Sequence, residues 1–223
     1  MALFKKPIPF AINSMEEIFD MGQLLHNPEQ RALFYTLYVT GARVSEALAI
    51  TKRDIWEGED GGREAYIFKV MTLKKKSMLP VRTLPIPKEG IEGKMAADIW
   101  AWRECKDDEN AKLFHYSRTR AWNIFSHLVF DIRAITKERE YIELLDFKMH
   151  PHYLRHCRAT HFAVYHGWSN PYQFMKWFGW DDPKRPMIYI QLNWKDLLKL
   201  FPKPEARSDS SMSNSAVPGI GSP

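Results

Sequence analysis

The feature that most constrains the fold is a block of strand-like sequence, residues 54–87, set between segments with helical periodicity. The pieces EAYIFKVMT and VRTLPIP are rich in β-branched and aromatic residues, and turn-forming residues separate them from each other and from RDIWEGEDGG. This pattern predicts a small antiparallel sheet of three strands. The tip between the second and third strands is LKKKSMLP.

Helical signals flank this block on both sides. Asn27 can cap a helix that takes Pro28 in its first turn, and an apolar stripe from Leu33 to Tyr38 has helical spacing. A second helix is expected to begin at Thr40, with the Thr40 side chain as its cap. Further helices are predicted at 96–104, 117–137, 151–166 and 170–178, with two short helical pieces around Tyr189 and at 194–201. The predicted fold class is therefore α+β and mostly helical.

Composition excludes several classes of protein. A hydrophobic content of 45% excludes wholesale disorder, and the net charge of +5 with a pI near 9.1 suits nucleic acid or another polyanion. The two cysteines do not suggest a disulfide framework, since Cys157 lies in a segment dense with His and Arg. The N-terminus lacks the apolar stretch of a signal peptide, and no apolar run is long enough to span a membrane. We expect an intracellular protein without membrane contact.

The domain boundaries follow from shifts in composition. Residues 1–12 form an N-terminal extension, 13–202 a single folded domain, and 203–223 a tail rich in Ser, Pro and Gly that we expect to be disordered. No internal repeat is visible.

The first segment that could carry chemistry is TGARVSEAL, residues 40–48. Arg43 falls in the first turn of its predicted helix, where backbone amides and a guanidinium could both face an anion. Glu46, three residues on, shares a helical face with Arg43 and could hold it by a salt bridge. Taken alone, a segment of this kind is more often an ordinary surface ion pair.

The second segment is HPHYLRHCRATH, residues 150–161. On a helix, His152, Arg155 and His156 lie within about one turn, so two imidazoles and a guanidinium share a face. The i, i+4 spacing of the two histidines also suits a zinc ion. Against zinc, Arg155 between them would repel the ion, and the glutamate of an HExxH motif is missing. We therefore predict no metal.

Two further segments carry residues that are ordinary when taken singly. In FGWDDPKRPMIYIQ, residues 178–191, Trp180 precedes Tyr189 by nine positions, and packing is the default role of both. A basic run at the predicted hairpin tip usually forms a solvated loop that contacts phosphates. It consists of Lys74, Lys75 and Lys76.

Together and in this order, the four segments resemble the catalytic domain of tyrosine recombinases, the phage integrase family. That family has an arginine in a TGxRxxE setting, a lysine on a β-hairpin, an HxxR element, a His or Trp further on, and a nucleophilic tyrosine near the end. The resemblance covers residues 13–200 and implies these catalytic residues: Arg43, Lys74, His152, Arg155, Trp180 and Tyr189. Lys75 is the substitute for Lys74. Family members usually have a separate N-terminal helical domain that closes around DNA, so this chain resembles the catalytic domain alone.

The resemblance implies a metal- and ATP-independent chemistry with no cofactor. Arg43 and Arg155 would each present a planar fork to the oxygens of a phosphodiester, and Tyr189 would attack it to give a 3′-phosphotyrosyl DNA. His152 is the candidate base for the phenol, and Lys74 would protonate the departing 5′ oxygen. Glu46 and His156 would orient the residues that contact the phosphate.

The implied partner is double-stranded DNA, with a homotetramer on two DNA sites and a cytoplasmic, nucleoid-associated location. Trp194, Leu197 and Leu198, after the tyrosine, would pack either on a neighbouring protomer or within the same chain. Lys75, Lys76 and Arg82 are expected to contact DNA. Three alternatives remain: a type IB topoisomerase, a non-catalytic DNA-binding regulator, and a metal-dependent hydrolase, which chelators would inactivate.

Overall fold

The computed structural model describes residues 14–73, 80–136 and 150–189, with side chains described outside 129–136. All of them lie in one compact unit, Met1–Leu192. Along the described chain the elements are α1 (Met15–Gln23), α2 (Pro28–Thr40), α3 (Val44–Ala47), β1 (Ile55–Asp60), β2 (Arg63–Met71), β3 (Val81–Pro87), α4 (Gly90–Glu104), α5 (Arg118–Thr136), α6 (Pro151–Val164) and α7 (Pro171–Phe178). Two short 3-10 turns, Lys52–Asp54 and Pro186–Ile188, complete them.

Two helices begin at Asn-Pro pairs, as the sequence predicts. The side chain of Asn27 accepts hydrogen bonds from the first amides of α2, and that of Asn170 does the same for α7. Proline suits the next position because its missing N–H would have no partner there. These caps confirm the predicted starts of α2 and α7.

The three predicted strands form one antiparallel sheet in the order β1-β2-β3. Phe68 in the central strand is paired with Ile55 on one side and Leu84 on the other, and all three side chains are buried. The hairpin between β1 and β2 turns at Gly61 and Gly62, which have φ values of 58° and 77°. Two successive positive φ angles favour a tight two-residue hairpin, and glycine adopts them without a Cβ penalty.

The core is organised around α2. Every residue from Ala32 to Thr40 is buried, because α2 packs against both α4 and α6. α4 also packs against β2 and β3, so it joins the sheet to the helical part of the molecule. The short helix α3, which follows α2, packs against α2 and is thereby attached to this core.

The helix after α2 begins later than predicted, and Thr40 does not cap it. Gly41 has φ 60° in the left-handed region and ends α2. The Thr40 hydroxyl instead donates to the carbonyl of Thr36 at 2.5 Å, inside α2. The N-cap of α3 is Arg43, so this residue lies at the junction of two helices.

The fold class is as predicted: mostly helical, with a small three-stranded antiparallel sheet. Other predictions lie outside the described residues, namely the extension at 1–12, the helical piece at 194–201 and the tail at 203–223. No helix in the described ranges combines the length and the apolar character that crossing a membrane requires.

Candidate active site

Arg43 is held at the start of α3 by a buried carboxylate. Its Nη1 donates to Oε1 of Glu46 at 2.6 Å, and its backbone N–H donates to Oε2 at 3.0 Å. The Glu46 side chain is 1% exposed, whereas that of Arg43 is 31% exposed. The expected ion pair therefore exists, and it leaves part of the Arg43 guanidinium facing outward.

Arg82 does not lie on a DNA-contacting surface, contrary to our expectation. Its side chain is 1% exposed, and Nη2 donates to Oε2 of Glu46 at 2.6 Å while Nη1 donates to the carbonyl of Trp177 at 2.8 Å. The strand alternation explains the error, since Arg82 shares the buried face of β3 with Leu84 and Ile86. The prediction that Arg82 binds DNA is wrong. Arg82 has a structural role instead, because it forms an ion pair with Glu46.

Glu46 is consequently shared between two guanidinium groups. Burial alone would raise its pKa, but the charge of Arg82 and the hydrogen bonds and charge of Arg43 outweigh burial, so the pKa is lowered. Glu46 is ionised at neutral pH and fixes both arginines. Sequence reasoning found the Arg43–Glu46 contact and missed the link to Arg82.

Arg155 on α6 is almost fully buried and joins the ends of two helices. Its Nη1 donates to the carbonyl of Gly41, just after α2, and its Nη2 donates to that of Phe178, the last residue of α7, both at 2.6 Å. A cation is favourable where helices present unpaired carbonyls. Burial and the charges of Arg43 and Arg82 lower the pKa of Arg155, yet a guanidinium remains protonated at neutral pH.

Tyr189 follows the last 3-10 turn and points into the protein. It is 7% exposed, and its ring stacks on that of Trp180 with centroids 5.5 Å apart and planes 12° apart. Its hydroxyl forms a short hydrogen bond with Nδ1 of His156. Burial raises the pKa of Tyr189 to about 12, against an opposing effect of the Arg155 and Arg185 charges. The phenol is therefore protonated at neutral pH.

His152 and His156, two of the three histidines of α6, are adjacent and neutral. The rings of His152 and His156 meet edge to face with centroids 4.5 Å apart. Burial lowers the pKa of each to about 4, and neighbouring positive charges, including that of Arg155, add to the effect. A neutral imidazole can accept a proton. Nδ1 of His156 is hydrogen-bonded to the Tyr189 hydroxyl, whereas His152 lines a pocket.

That pocket has a volume of about 650 Å³ and opens beside Arg43. Its lining comes from three elements: the start of α3, the start of α5 and the start of α6. The lining residues are Arg43, Val44, Ser45, Arg118, Thr119, Trp122, Pro151 and His152. The pocket suits an anion, because these eight residues include two arginines and a histidine and none of them is acidic.

Five of the six residues proposed as catalytic come together around α6. Arg43 and His152 line the pocket, and Arg155, Trp180 and Tyr189 form one packed cluster that contacts His152 through His156. Their charges interact, since Arg43 affects the pKa of both His152 and Arg155. The sixth, Lys74, lies outside the described residues, as do Lys75 and Lys76.

Zinc binding was the main alternative for the histidines of α6. Across the described ranges, no group of three or more His, Cys, Asp or Glu side chains is placed to hold a metal ion. His156 uses Nδ1 for the Tyr189 hydroxyl instead.

The described elements and the cluster around α6 define a protein with the fold of a tyrosine-recombinase catalytic domain. The XerH site-specific recombinase bound to difH substrate is similar to 86% of this chain, with a TM-score of 0.57 and 16% identity. The Tn1549 transposon integrase in complex with transposon right end DNA is similar to 87% of it, with a TM-score of 0.55 and 17% identity. The catalytic domain of bacteriophage HP1 integrase is similar to 86%, with a TM-score of 0.50 and 19% identity.

The extent of these similarities differs between the neighbours. The chain spans 53% of the XerH chain and 65% of the Tn1549 integrase chain, but 95% of the HP1 catalytic domain. The sequence matches no protein-family model and no curated protein. The predicted tyrosine-recombinase catalytic-domain fold is confirmed at the level of structure.

Proposed function

We propose that this chain is a site-specific DNA recombinase that cleaves and rejoins DNA through a 3′-phosphotyrosyl intermediate, without metal or ATP. The observation that carries the proposal is the hydrogen bond between the Tyr189 hydroxyl and His156, one residue from the buried Arg155. The fold neighbours XerH and Tn1549 integrase, which are bound to DNA, support the assignment.

The two arginines supply the charge that this reaction needs. In the transition state of attack on a phosphodiester, negative charge builds up on the non-bridging oxygens, and preorganised cations lower the barrier. Arg43 reaches the pocket with its outward-facing guanidinium. Arg155 uses one N–H of each terminal nitrogen on a carbonyl, and a guanidinium has five N–H donors, so donors remain for a phosphate. Loss of either arginine should cost about 3 kcal/mol or more of transition-state stabilisation.

The nucleophile must lose a proton that burial holds firmly. We expected His152 to accept this proton, but the contact of His156 with the phenol makes His156 the better-supported acceptor. His152, on the pocket wall, is then placed to contact the phosphate. His156 is neutral at neutral pH, so its ring nitrogen can accept the proton. Because the pKa of His156 is near 4 and that of Tyr189 is about 12, the transfer must accompany bond formation to phosphorus, which makes the phenolic proton more acidic.

The bond changes balance without a co-reactant. The Tyr189 oxygen forms a bond to phosphorus while the bond from phosphorus to the 5′ oxygen breaks. The phenolic proton passes to His156, and the 5′ oxygen takes a proton from Lys74. Reversal by a second 5′ hydroxyl restores the DNA backbone and the free tyrosine, so the phosphoester energy is conserved throughout.

Strand exchange between two DNA molecules requires several active sites at once. We propose a homotetramer on two DNA sites, and the segment with Trp194, Leu197 and Leu198 would pack either on a neighbouring protomer or within its own chain. This segment lies outside the described residues. Size-exclusion chromatography with light scattering on the DNA complex tests the assembly, and a strictly monomeric complex contradicts it. We also propose that Lys74 is the catalytic lysine and that Lys75 and Lys76 contact DNA.

The test uses the full chain and a pool of nicked duplexes with randomised sequence around the nick. Loss of the short fragment beyond the nick prevents rejoining, so a covalent protein–DNA adduct accumulates and survives a denaturing gel. We expect the adduct in EDTA, its loss in Tyr189→Phe, and its retention in Tyr172→Phe, an exposed tyrosine elsewhere. Adduct formation that requires a divalent ion favours a hydrolase, and absence of any adduct favours a non-catalytic DNA-binding regulator. Relaxation of supercoiled plasmid without strand exchange favours a topoisomerase.

A further inference from the structure

We propose that Arg118 and Trp122 on α5 bind the DNA backbone next to the phosphate held by Arg43, as a second subsite of the same pocket. This inference rests on the proposed function. Neither residue was among the candidate site residues from the sequence. Both line the pocket at the start of α5, together with the residues from the starts of α3 and α6.

The pocket has room for more than one phosphate, since its volume is about 650 Å³ and its lining comes from three helices. A single phosphate with its oxygens fills a minor part of this space. A stretch of backbone with two phosphates and the sugar between them uses the pocket more fully.

Arg118 provides the second cation. It is exposed, and none of the acidic side chains in the ranges that the structure describes forms an ion pair with it. Arg43, by contrast, is paired with Glu46. Two arginines that line one pocket favour an anion bound between them, and among the described residues Arg118 has no carboxylate that would compete with that anion.

Trp122 provides a rigid apolar surface beside Arg118. One face of its ring stacks on His150, with centroids 5.3 Å apart and parallel planes, yet the residue is 50% exposed. His150 caps α6, the helix that carries His152 and Arg155. The ring is therefore already ordered, and its exposed part can pack on a deoxyribose or an unstacked base with little loss of side-chain entropy.

Binding of mixed-sequence duplex DNA, followed by fluorescence anisotropy over a range of KCl concentrations, tests the role of Arg118. All proteins carry Tyr189→Phe, so that binding is measured without cleavage. Each phosphate neutralised contributes about 0.9 to the slope of log affinity against log salt. Arg118→Ala should reduce the slope by about 1, whereas Arg120→Ala, an exposed arginine of α5 outside the pocket lining, should leave it unchanged. An equal effect of both changes, or no effect of Arg118→Ala, overturns the proposal.

The same assay decides whether Arg43 and Arg118 bind different phosphates. If they do, Arg43→Ala combined with Arg118→Ala should reduce the slope by about 2, the sum of the single changes. A double variant whose slope equals that of either single variant shows that both arginines serve one phosphate, and overturns the second subsite.

Trp122 should act on affinity without changing the salt dependence. Trp122→Ala should weaken binding with an unchanged slope, because the apolar contact with the backbone sugar is lost and no charge is removed, and Trp122→Phe should recover much of the loss. Trp56→Ala, a partly exposed tryptophan on β1, is the control and should have no effect. These binding measurements need no covalent chemistry, so the Arg118–Trp122 subsite can be supported when no adduct forms. An adduct can equally form when the subsite is refuted. The two proposals are therefore tested separately.

Discussion

The link from Arg82 through Glu46 to Arg43 allows a quantitative test of how the site is held in place. Both Arg82 and Glu46 have 1% exposed side chains, and two of their atoms are 2.6 Å apart. Removing one partner of such a pair leaves an uncompensated buried charge, which costs about 3–5 kcal/mol. Arg82→Met and Glu46→Gln should each lower the free energy of unfolding by about that amount.

The double variant should be less unstable than the sum of the single variants. When both partners are neutral, no buried charge is left without its counter-charge, so the coupling energy should be about 1–3 kcal/mol. Arg43 retains its own bond to Glu46 in Arg82→Met, which moderates the loss in that variant.

Urea unfolding followed by tryptophan fluorescence measures these energies, since the chain contains 8 tryptophans. With an m value of about 3 kcal/mol per M, a loss of 3–5 kcal/mol lowers the midpoint by about 1–2 M. Far-UV circular dichroism at zero urea shows whether each variant is folded. Additive effects of the two changes, or a midpoint unchanged in Arg82→Met, would refute the view that Arg82 and Glu46 form a coupled buried pair.

Three further predictions concern separate features of the chain. Gly41→Ala should lower the free energy of unfolding by about 1–2 kcal/mol from its φ of 60° alone, and by more because the new Cβ would lie 2.3 Å from Phe178; an unchanged urea midpoint contradicts this. The pKa of His156 is about 4 when folded and about 6.5 when unfolded, so the unfolded state binds the proton first and stability falls as the pH drops from about 6.5 to about 4. His156→Gln should lose that part of the pH dependence, and identical urea-unfolding profiles over pH for the two proteins argue against a buried neutral imidazole. Lys74→Ala should form little adduct with ordinary DNA. Adduct formation should recover on a substrate with sulfur in place of the 5′ bridging oxygen, because a thiolate departs without protonation. If Lys75→Ala shows this loss and recovery and Lys74→Ala does not, the acid is Lys75.

Elements with strong local signals could be predicted from the sequence. Asn27 and Asn170 each precede a proline, and the cap geometry is set within three residues. The strands are equally clear because runs rich in β-branched and aromatic residues are separated by turn-forming residues. The start of α3 was misplaced because Gly41 ends α2 after Thr40, and a threonine next to a glycine suits either helix.

The contacts that organise the site depend on tertiary packing and could not be predicted in this way. His156 and Tyr189 are 33 positions apart, and Glu46 and Arg82 are 36 apart. No local pattern specifies which imidazole of α6 faces the phenol, so His152 was assigned a role that the geometry supports better for His156. The burial of Arg82 has a usable signal in the sequence, since every second residue of β3 from Arg82 onward, Leu84 and Ile86, is apolar and faces the same side.

The proposed recombination depends on a covalent bond between Tyr189 and a 3′ phosphate of DNA. Mass spectrometry of the peptide–nucleotide conjugate, obtained by protease and nuclease digestion of the trapped adduct, tests for this bond. We expect a phosphate ester on the Tyr189 oxygen and a free 5′ hydroxyl on the released strand. Attachment to any other residue, or a 5′-phosphate end on that strand, would contradict the proposal.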